Sequence, residues 1–489
     1  MRINVQYAHW KKVLPWFVCA VAVFSSFWLF FRMLWFDEVL TVQLLMKLPL
    51  ERIYFSYEIP NNHIVFTLLE KLWYSTVGSV MNYPYYFFRI PPMIFGAAAV
   101  FLLCRRLLRS CGILAGTALP AFFSVSMTFA LFSTGVRGYS LGFFLTVLLM
   151  LCGEKILRAP RFRQYVLYFA LCLLSAGTAP TNLAAMEAAA LFFLPALMRR
   201  GPGGIRRSLF LFVCPVVALA VFYLPILEKF IGCIRLGEGW HSASAAAANL
   251  YVVTGLIFAG FLPFCLAGAF RIWKKIPKLR WNCVCGLLIF LIPAGVYCFF
   301  RTPPFPRVFF PLTAVWLFLL SHMLCAYLRK MENRRIFLLA PFLLQGVFCI
   351  LLFQERSETA SRILFGESGK RDDFLMPYYA RDSFKPQKIL SFLNEKLKEG
   401  EALHVFVTFD ADAPSLIFAS SVMDFPEGVL LMDTLNRPKR LRFQEIPGPK
   451  YIISGDEADL RRTKERFGFT ETLPVMRIGC QRLDRVMDL

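Results

Sequence analysis

The chain has 489 residues, of which 57% are hydrophobic, and its mean hydropathy is +0.55. This composition excludes an ordinary soluble protein and indicates a polytopic membrane protein. Lys and Arg outnumber Asp and Glu by 54 to 32. The excess lies in short loops between apolar runs, as the positive-inside rule predicts. We therefore expect no nucleic-acid partner.

The 14 cysteines lie mostly within apolar runs, where they behave as small hydrophobic side chains. No CxxC pair and no Cys/His cluster indicates a zinc or redox centre. We expect neither a bound metal nor a cofactor.

Apolar runs long enough to cross a bilayer, which takes about 20 residues each, recur along the first 354 residues. Eleven are predicted, at 13–36, 84–104, 112–133, 136–154, 164–182, 183–198, 208–227, 250–270, 281–300, 308–328 and 336–354. With the N-terminus in the cytoplasm, cytoplasmic loops carry 23 Lys/Arg and outer loops nine. This bias fixes the orientation.

The apolar segment His63–Val80 contains Glu70 and Lys71, and counting it as a span would invert every later loop. We therefore expect it to lie against the outer surface or to re-enter it. The first outer loop, 37–83, then carries two amphipathic helices, at about 38–47 and 63–79.

Two domains are predicted: a membrane domain, 1–354, and an extracytoplasmic domain, 355–489. In the second, helical and strand-like patterns alternate. The helical patterns are Lys385–Lys398, Ala413–Val422 and Asp456–Phe467, and the strand patterns are Ala402–Phe409 and Lys450–Ser454. The predicted fold class is an all-α polytopic membrane domain with a small C-terminal α/β domain.

Two carboxylates, Asp37 and Glu38, follow the first apolar run directly. Only ten acidic residues precede residue 355, and five of these lie in the first outer loop. Carboxylates at a membrane boundary are costly, so we expect an acid/base site facing a lipid-borne substrate. Alternatively, Asp37 caps the following helix, and Arg32 could pair with either carboxylate.

Glycosyl transfer from a polyprenyl-phosphate sugar needs such a site. A carboxylate takes the proton of the acceptor as it attacks the anomeric carbon. Cations stabilise the departing lipid phosphate, and Arg137, Arg301 and Arg307 are outer-side cations. A single displacement inverts the anomeric centre, and no metal is required because cationic side chains can stabilise a monophosphate.

Four segments resemble the GT-C glycosyltransferase superfamily: FDEVLTVQLL, IPNNHIVFTLLEKLW, FRIPPMIFGAAAVFLLCRRL and STGVRGYSLGFFL. The nearest branch contains protein O-mannosyltransferases, lipid A aminoarabinose transferases and Rgt-type galacturonosyltransferases. The resemblance is clear over about residues 13–200. It implies Asp37 as the catalytic base, and Asp37 and Glu38 are the two candidate catalytic residues. The family's Pro-Pro after the histidine is replaced here by Ile64-Val65.

The candidate substrate-binding residues are polar or aromatic side chains of the outer loops and outer span ends: Asn62, His63, Arg89, Arg137, Tyr139, Glu187, Arg301 and Arg307. Each has a structural alternative. Asn62 and His63 could form only a turn. Span-end arginines and tyrosines often only anchor a helix at the interface. Glu187 could be a hydrogen-bonded structural carboxylate.

The sequence thus predicts an integral-membrane glycosyltransferase. Its expected partners are a lipid-linked sugar donor, a glycan, lipid or protein acceptor, and membrane lipids. It is expected in the plasma or inner membrane, with a cytoplasmic N-terminus and an extracytoplasmic active site and C-terminal domain. A flippase of lipid-linked saccharides is the alternative, but it would show polar residues through several spans and pseudo-symmetric halves. An inactive GT-C-like scaffold is the third possibility.

Overall fold

The structure, a computed structural model, describes residues 2–55, 57, 62–78, 85–236, 246–247, 250–251, 254–255, 257–299, 304–330, 340–347, 385–408, 411–426, 429–432, 448–455, 457–478 and 481–487. It divides into two compact units. The membrane unit contains Met1–Phe30 and Leu45–Leu375, and the C-terminal unit contains Phe31–Leu44 and Met376–Leu489. The predicted boundary at 354/355 lies outside the described residues.

The first 330 residues are almost entirely helical where they are described. In chain order the helices are α1 (Arg2–Ser26), α2 (Phe36–Val39, in the C-terminal unit), α3 (Leu50–Phe55), α4 (Ile64–Trp73), α5 (Ile90–Ser124), α6 (Met127–Thr134), α7 (Tyr139–Arg158), α8 (Phe162–Thr178), α9 (Leu183–Met198), α10 (Pro202–Tyr223), α11 (Leu227–Leu236), α12 (Leu262–Lys275), α13 (Arg280–Phe299) and α14 (Thr313–Lys330). Short 3-10 and π-helical turns extend several of them, and residues 340–347 are also helical.

Seven helical stretches within the described residues are long and apolar enough to cross a membrane. The chain is therefore a multi-pass membrane protein. The predicted number of eleven spans is not established by this structure. The predicted runs 250–270 and 336–354 are described only in part, and α8 has only 17 residues.

The long element α5 is a helical hairpin, not one continuous helix. Gly112 has φ 80° and ψ −179°, outside the helical region. A Cβ added at Gly116 would lie 2.7 Å from the backbone nitrogen of Leu108, so the two arms pack tightly after the turn. Only glycine adopts this conformation readily. The first arm of the hairpin lies mostly in the predicted run 84–104, and the predicted run 112–133 covers the second arm together with most of α6.

An aromatic cluster joins α5, α6, α7 and the 3-10 turn Pro306–Leu312. The Phe123 ring lies 5.5 Å from Phe129, 5.7 Å from Phe143 and 6.1 Å from Phe310, and Phe132 lies 5.0 Å from Phe310. Each such ring pair contributes about 0.5–1.5 kcal/mol beyond its buried area. The cluster fixes the 3-10 turn that carries Arg307 against α6 and α7. Arg137 lies in the turn between these helices, and Tyr139 is the first residue of α7.

The C-terminal unit is built around a five-stranded mixed sheet. Its strands are β1 (His404–Val407), β2 (Leu430–Met432), β3 (Lys450–Ser454), β4 (Thr472–Ile478) and β5 (Gln481–Val486), in the order β2-β1-β3-β5-β4. β1 pairs in parallel with β2 and β3, whereas β5 pairs antiparallel with β3 and β4. Helices α15 (Pro386–Lys398), α16 (Ala413–Val422) and α17 (Glu457–Phe467) complete it.

The predicted fold class, a polytopic helical domain with a small C-terminal α/β domain, is confirmed. Phe406, Ile452, Leu460 and Val486 form one buried cluster between the sheet and α17. The helical and strand patterns of the tail match the observed elements closely; residue Asp456, the predicted start of α17, lies outside the described residues.

Candidate functional site

Two arginines, a histidine and a tyrosine converge inside the membrane unit. The ring of His63, the residue before α4, lies 5.2 Å from the ring of Tyr139. The guanidinium carbon of Arg137 lies 5.8 Å from the centre of the same tyrosine ring. Arg137 and Arg307 both act electrostatically on His63. His63, Arg137, Tyr139 and Arg307 are each buried. We call these four residues the cationic cluster.

The turn Gly135–Gly138 between α6 and α7 brings Arg137 and Tyr139 into the cluster. Gly138 permits the close approach. A Cβ at this position would lie 2.6 Å from Cγ2 of Thr178 and 2.8 Å from Nδ1 of His63. A bulkier residue would therefore push the turn away from both. The sequence motif Arg137-Gly138-Tyr139 thus has a structural reason for its central glycine.

Arg307 is held by a different element of the membrane unit. It lies in the 3-10 turn Pro306–Leu312, whose Phe310 belongs to the buried aromatic cluster. Its guanidinium carbon lies 4.1 Å from the centre of the Phe305 ring, within cation–π range. The prolines of this stretch limit its backbone freedom.

His63 is neutral in this environment. Burial is the largest cause that lowers its pKa well below the ordinary value, and the charges of Arg137 and Arg307 lower the pKa further. Nδ1 lies 2.9 Å from the carbonyl oxygen of Thr178. A carbonyl can only accept, so Nδ1 carries the proton, which leaves Nε2 as a hydrogen-bond acceptor.

The cluster thus combines two permanent positive charges with a neutral imidazole in a buried setting. An anion entering it would gain charge-assisted hydrogen bonds from planar guanidinium groups, which bind phosphate oxygens in pairs. Buried like charges repel each other, and a bound anion would relieve that cost. The arrangement is chemically suited to a phosphate group.

A row of polar groups on α4 was not singled out from the sequence. Thr67 and Glu70 follow His63 at the i+4 and i+7 positions, which places all three on one helix face. Thr67 and Glu70 are fully buried. The Thr67 hydroxyl, both Glu70 carboxyl oxygens and the Trp73 indole nitrogen have no hydrogen-bond partner within the described residues. The i, i+4, i+7 spacing was the signal that could have revealed it.

Burial raises the pKa of Glu70 well above its ordinary value. Burial therefore favours the protonated form, and a protonated carboxyl offers both a donor and an acceptor. An adjacent face of α4 is apolar, since Ile64 packs with Tyr57, Tyr223 and Ile226. The helix separates a polar face from an apolar one inside the same unit.

The other predicted substrate-binding residues lie in different surroundings. Asn62 donates its side-chain amide to the carbonyl of Ile53, 2.9 Å away, which ties α4 to α3. Arg89 is fully buried and donates to the carbonyl of Thr134, 2.8 Å away, at the end of α6. Glu187 lies in α9, and its Oε1 has no hydrogen-bond partner within the described part of the chain. Arg301 lies outside the described residues.

Asp37 and Glu38 lie in the C-terminal unit, in the first turn of α2. The residue at the N-cap is Trp35, so Asp37 does not occupy that position. Glu38 accepts from the backbone nitrogen of Trp35 at 3.2 Å and from both terminal nitrogens of Arg32 at 3.2 and 3.4 Å. Of the two pairings open to Arg32, the structure shows the one with Glu38.

Asp37 is buried, with 3% of its surface exposed. Its backbone carbonyl accepts from the Thr41 hydroxyl at 3.0 Å. A π-helical turn, Leu40–Leu45, follows α2 directly, and such turns are frequent at functional sites. Among the described residues, no three His, Cys, Asp or Glu side chains are grouped as metal ligands.

The chain belongs to the class of multi-pass helical membrane proteins that have an additional sheet-containing unit. Its membrane unit contains the buried cationic cluster. Its fold is similar to that of ArnT from Cupriavidus metallidurans. The crystal structure of ArnT in the apo state matches with a TM-score of 0.52 and 12% identity, over 98% of each chain. The crystal structure bound to undecaprenyl phosphate matches with a TM-score of 0.53, again at 12% identity and over 98% of each chain.

An oligosaccharyltransferase from Archaeoglobus fulgidus matches more weakly, with a TM-score of 0.42 and 14% identity over 82% of this chain and 61% of that chain. No protein-family model matches the chain, and no curated protein matches its sequence. ArnT is a GT-C glycosyltransferase, so this chain has the GT-C fold that its sequence motifs predicted.

Proposed function

We propose that this protein is a membrane glycosyltransferase that transfers a sugar from a polyprenyl-phosphate donor to an extracytoplasmic acceptor. The observation that carries the proposal is the cationic cluster, a buried phosphate-compatible site within a GT-C fold. The neighbour with the same fold was crystallised with undecaprenyl phosphate, which is a ligand of the proposed chemical class.

The proposed reaction is a single displacement. The acceptor oxygen attacks the anomeric carbon while the Asp37 carboxylate takes the acceptor's proton. The bond from the anomeric carbon to the phosphate oxygen breaks, and polyprenyl phosphate leaves with that electron pair. The product sugar therefore has the inverted anomeric configuration.

Arg137 and Arg307 stabilise the negative charge that develops on the departing phosphate. Preorganised cations in a water-poor site stabilise such charge far more than they would in water. The proposed step uses no metal, because these guanidinium groups supply the positive charge. Neutral His63 would accept a hydrogen bond from a donor hydroxyl through Nε2, and Tyr139 would hold the imidazole ring in place.

Glu38 has a supporting part in this proposal. Its carboxylate is already engaged by Arg32 and by the backbone of Trp35, so it stabilises the turn that carries Asp37 and does not itself take the proton. We further propose that the N-terminus is cytoplasmic and that the reaction occurs on the outer side of the plasma or inner membrane. The positive charge of the alternate loops supports this orientation.

The test is turnover by purified protein in detergent. Each member of a panel of polyprenyl-phosphate sugars is added with a membrane extract rich in acceptors, and free polyprenyl phosphate is measured. We expect release from at least one donor, with the sugar appearing on an acceptor in the inverted configuration. Absence of release from every donor, in protein shown to be folded, would refute the proposal and favour a lipid-moving protein or an inactive scaffold.

A further inference from the structure

The segment that carries Asp37 folds with the far end of the chain. Phe31–Leu44 belongs to the same compact unit as Met376–Leu489, whereas the residues on either side of it, up to Phe30 and from Leu45, belong to the membrane unit. The chain thus leaves the membrane unit after α1, contributes this segment to the C-terminal unit, and returns. Such an excursion has a conformational cost, so the contacts that hold it require an explanation.

One set of contacts joins the segment to the rest of the C-terminal unit, and a second set shapes the segment itself. First, α2 packs directly against α16. Second, Arg32, Trp35 and Glu38 close a turn through the ion pair and the backbone hydrogen bond of the Glu38 carboxylate. Asp37 lies between the closing residues of this turn, and its own carbonyl is held by Thr41.

The composition of α16 fits this role. The helix reads APSLIFASSV and is apolar, yet it has only ten residues, too few to cross a bilayer. Ala413, Leu416, Phe418 and Ala419 are all buried. A helix that is apolar on most sides is covered on more than one face, and here α15 and α2 both pack on it.

The start of α16 is also fixed firmly. Asp412 adopts a left-handed conformation with φ 56°, and its carboxylate accepts from the backbone nitrogen of Ser415 at 3.3 Å. A proline follows in the first turn, which suits this position of a helix. The helix against which α2 packs therefore has a capped N-terminus.

We propose that the C-terminal unit positions the Asp37 carboxylate, acting through the packing of α16 on α2. Leu416 and the Arg32–Glu38 pair are positioning residues, since they act through Asp37 and do not touch the reacting atoms. The inference rests on the proposed function, in which Asp37 is the base. A catalytic group displaced by about 1 Å loses about 10²-fold in rate, so the holding contacts control kcat.

The test compares two matched leucines of the C-terminal unit in the full chain. Leu416→Ala opens a cavity in α16, and Leu460→Ala opens one in α17, within the cluster formed with Phe406, Ile452 and Val486. Hydrogen–deuterium exchange of peptides covering 31–44 is measured, together with kcat and the donor KM for polyprenyl-phosphate release.

We expect Leu416→Ala to accelerate exchange in 31–44 and to lower kcat about tenfold, with donor KM within about twofold of wild type, since misplacement affects the chemical step more than binding. We expect Leu460→Ala to leave the exchange rate in 31–44 and kcat close to those of the wild type. Equal effects of the two variants, or unchanged exchange in 31–44 with Leu416→Ala, would overturn the inference. If Leu416→Ala does not fold, the milder pair Leu416→Val and Leu460→Val is used.

The Arg32–Glu38 ion pair allows a second, independent experiment. Arg32→Gln is expected to lower kcat at an unchanged donor KM, and Arg32→Lys, which keeps the positive charge, is expected to restore most of it. Full kcat in Arg32→Gln would count against the proposal. If the wild type releases nothing from any donor, the proposed function itself fails, and the exchange measurement alone decides whether the C-terminal unit holds 31–44.

Discussion

At the scale of single residues, three arginines have two kinds of surroundings: two lie beside aromatic rings, and one lies in an ion pair. Arg137 and Arg307 are buried beside aromatic rings, and the ion pair of Arg32 occupies Glu38. Two guanidinium groups beside a neutral imidazole are chemically suited to an anionic ligand.

Removing one cation should therefore weaken binding of the leaving group. We predict that Arg307→Ala raises the Kd for polyprenyl phosphate about 10–100-fold, since a hydrogen bond to a charged group contributes about 1.5–3 kcal/mol. Tryptophan fluorescence or calorimetry in detergent measures it. Arg158→Ala, which removes an arginine whose side chain is 70% exposed, serves as the charge control and should bind normally.

His63 gives the protein a pH-dependent stability with a definite sign. Its folded pKa lies below the ordinary value because of burial and the neighbouring arginines. Below about pH 6.5 the unfolded chain binds a proton at this position that the folded chain does not bind, so stability falls as pH is lowered. We predict that Tm in detergent declines more steeply from pH 7 to pH 5 in the wild type than in His63→Gln. Equal slopes would contradict the assignment.

At the scale of elements, α4 and the α6–α7 turn determine the site. The motif residues Arg137, Gly138 and Tyr139 could be recognised from the sequence because they are contiguous. The row His63, Thr67 and Glu70 could not be recognised so readily, since an acidic residue in an apolar segment equally suits a helix at the membrane surface. Its burial depends on neighbours distant in the chain, which no local pattern specifies.

Ionisation of Glu70 lowers the stability of the folded protein as pH rises. Its folded pKa is raised by burial, so between about pH 4.5 and that folded pKa the folded chain binds a proton that the unfolded chain has lost. We predict that Glu70→Gln has a higher Tm than the wild type at pH 8 and nearly the same Tm at pH 4. A lower Tm for Glu70→Gln at pH 8 would show that the ionised carboxylate has a stabilising partner.

The close approach at Gly138 predicts that alanine is more damaging at this position than at a glycine with open space around it. Gly138→Ala places a Cβ 2.6 Å from Thr178 and 2.8 Å from His63, and such overpacking costs about 1–3 kcal/mol. We expect a lower Tm and weaker binding of polyprenyl phosphate. The matched control is Gly295→Ala in α13, where no atom of the described residues outside its own helix lies within 4 Å of the added Cβ. Similar losses in both variants would contradict this account.

At the scale of the whole molecule, the sequence indicated the class of fold and much of the C-terminal unit. Ala413–Val422 and Lys450–Ser454 match the observed elements because their propensity and hydrophobic pattern agree with their environment. β2 has three residues, and β4 contains Pro474 and an irregular register beside it, so neither gave a clear strand signal.

The membership of Phe31–Leu44 in the C-terminal unit was not predictable from the sequence. It depends on packing of α2 against α16, elements separated by most of the chain. Hydrophobic periodicity reports which faces are apolar, but it does not report which distant element covers them. The assignment of Asp37 and Glu38 to this unit is therefore a result of the structure alone.

The central claim, that Asp37 is the base of a glycosyl transfer, is tested most directly by one rate. The kcat for release of polyprenyl phosphate is measured for the wild type and Asp37→Asn at saturating donor, with Kd for polyprenyl phosphate measured alongside. The account predicts a loss of about 10²–10⁴-fold in kcat, the usual contribution of a general base, with Kd unchanged. Turnover of Asp37→Asn at the wild-type rate would contradict it.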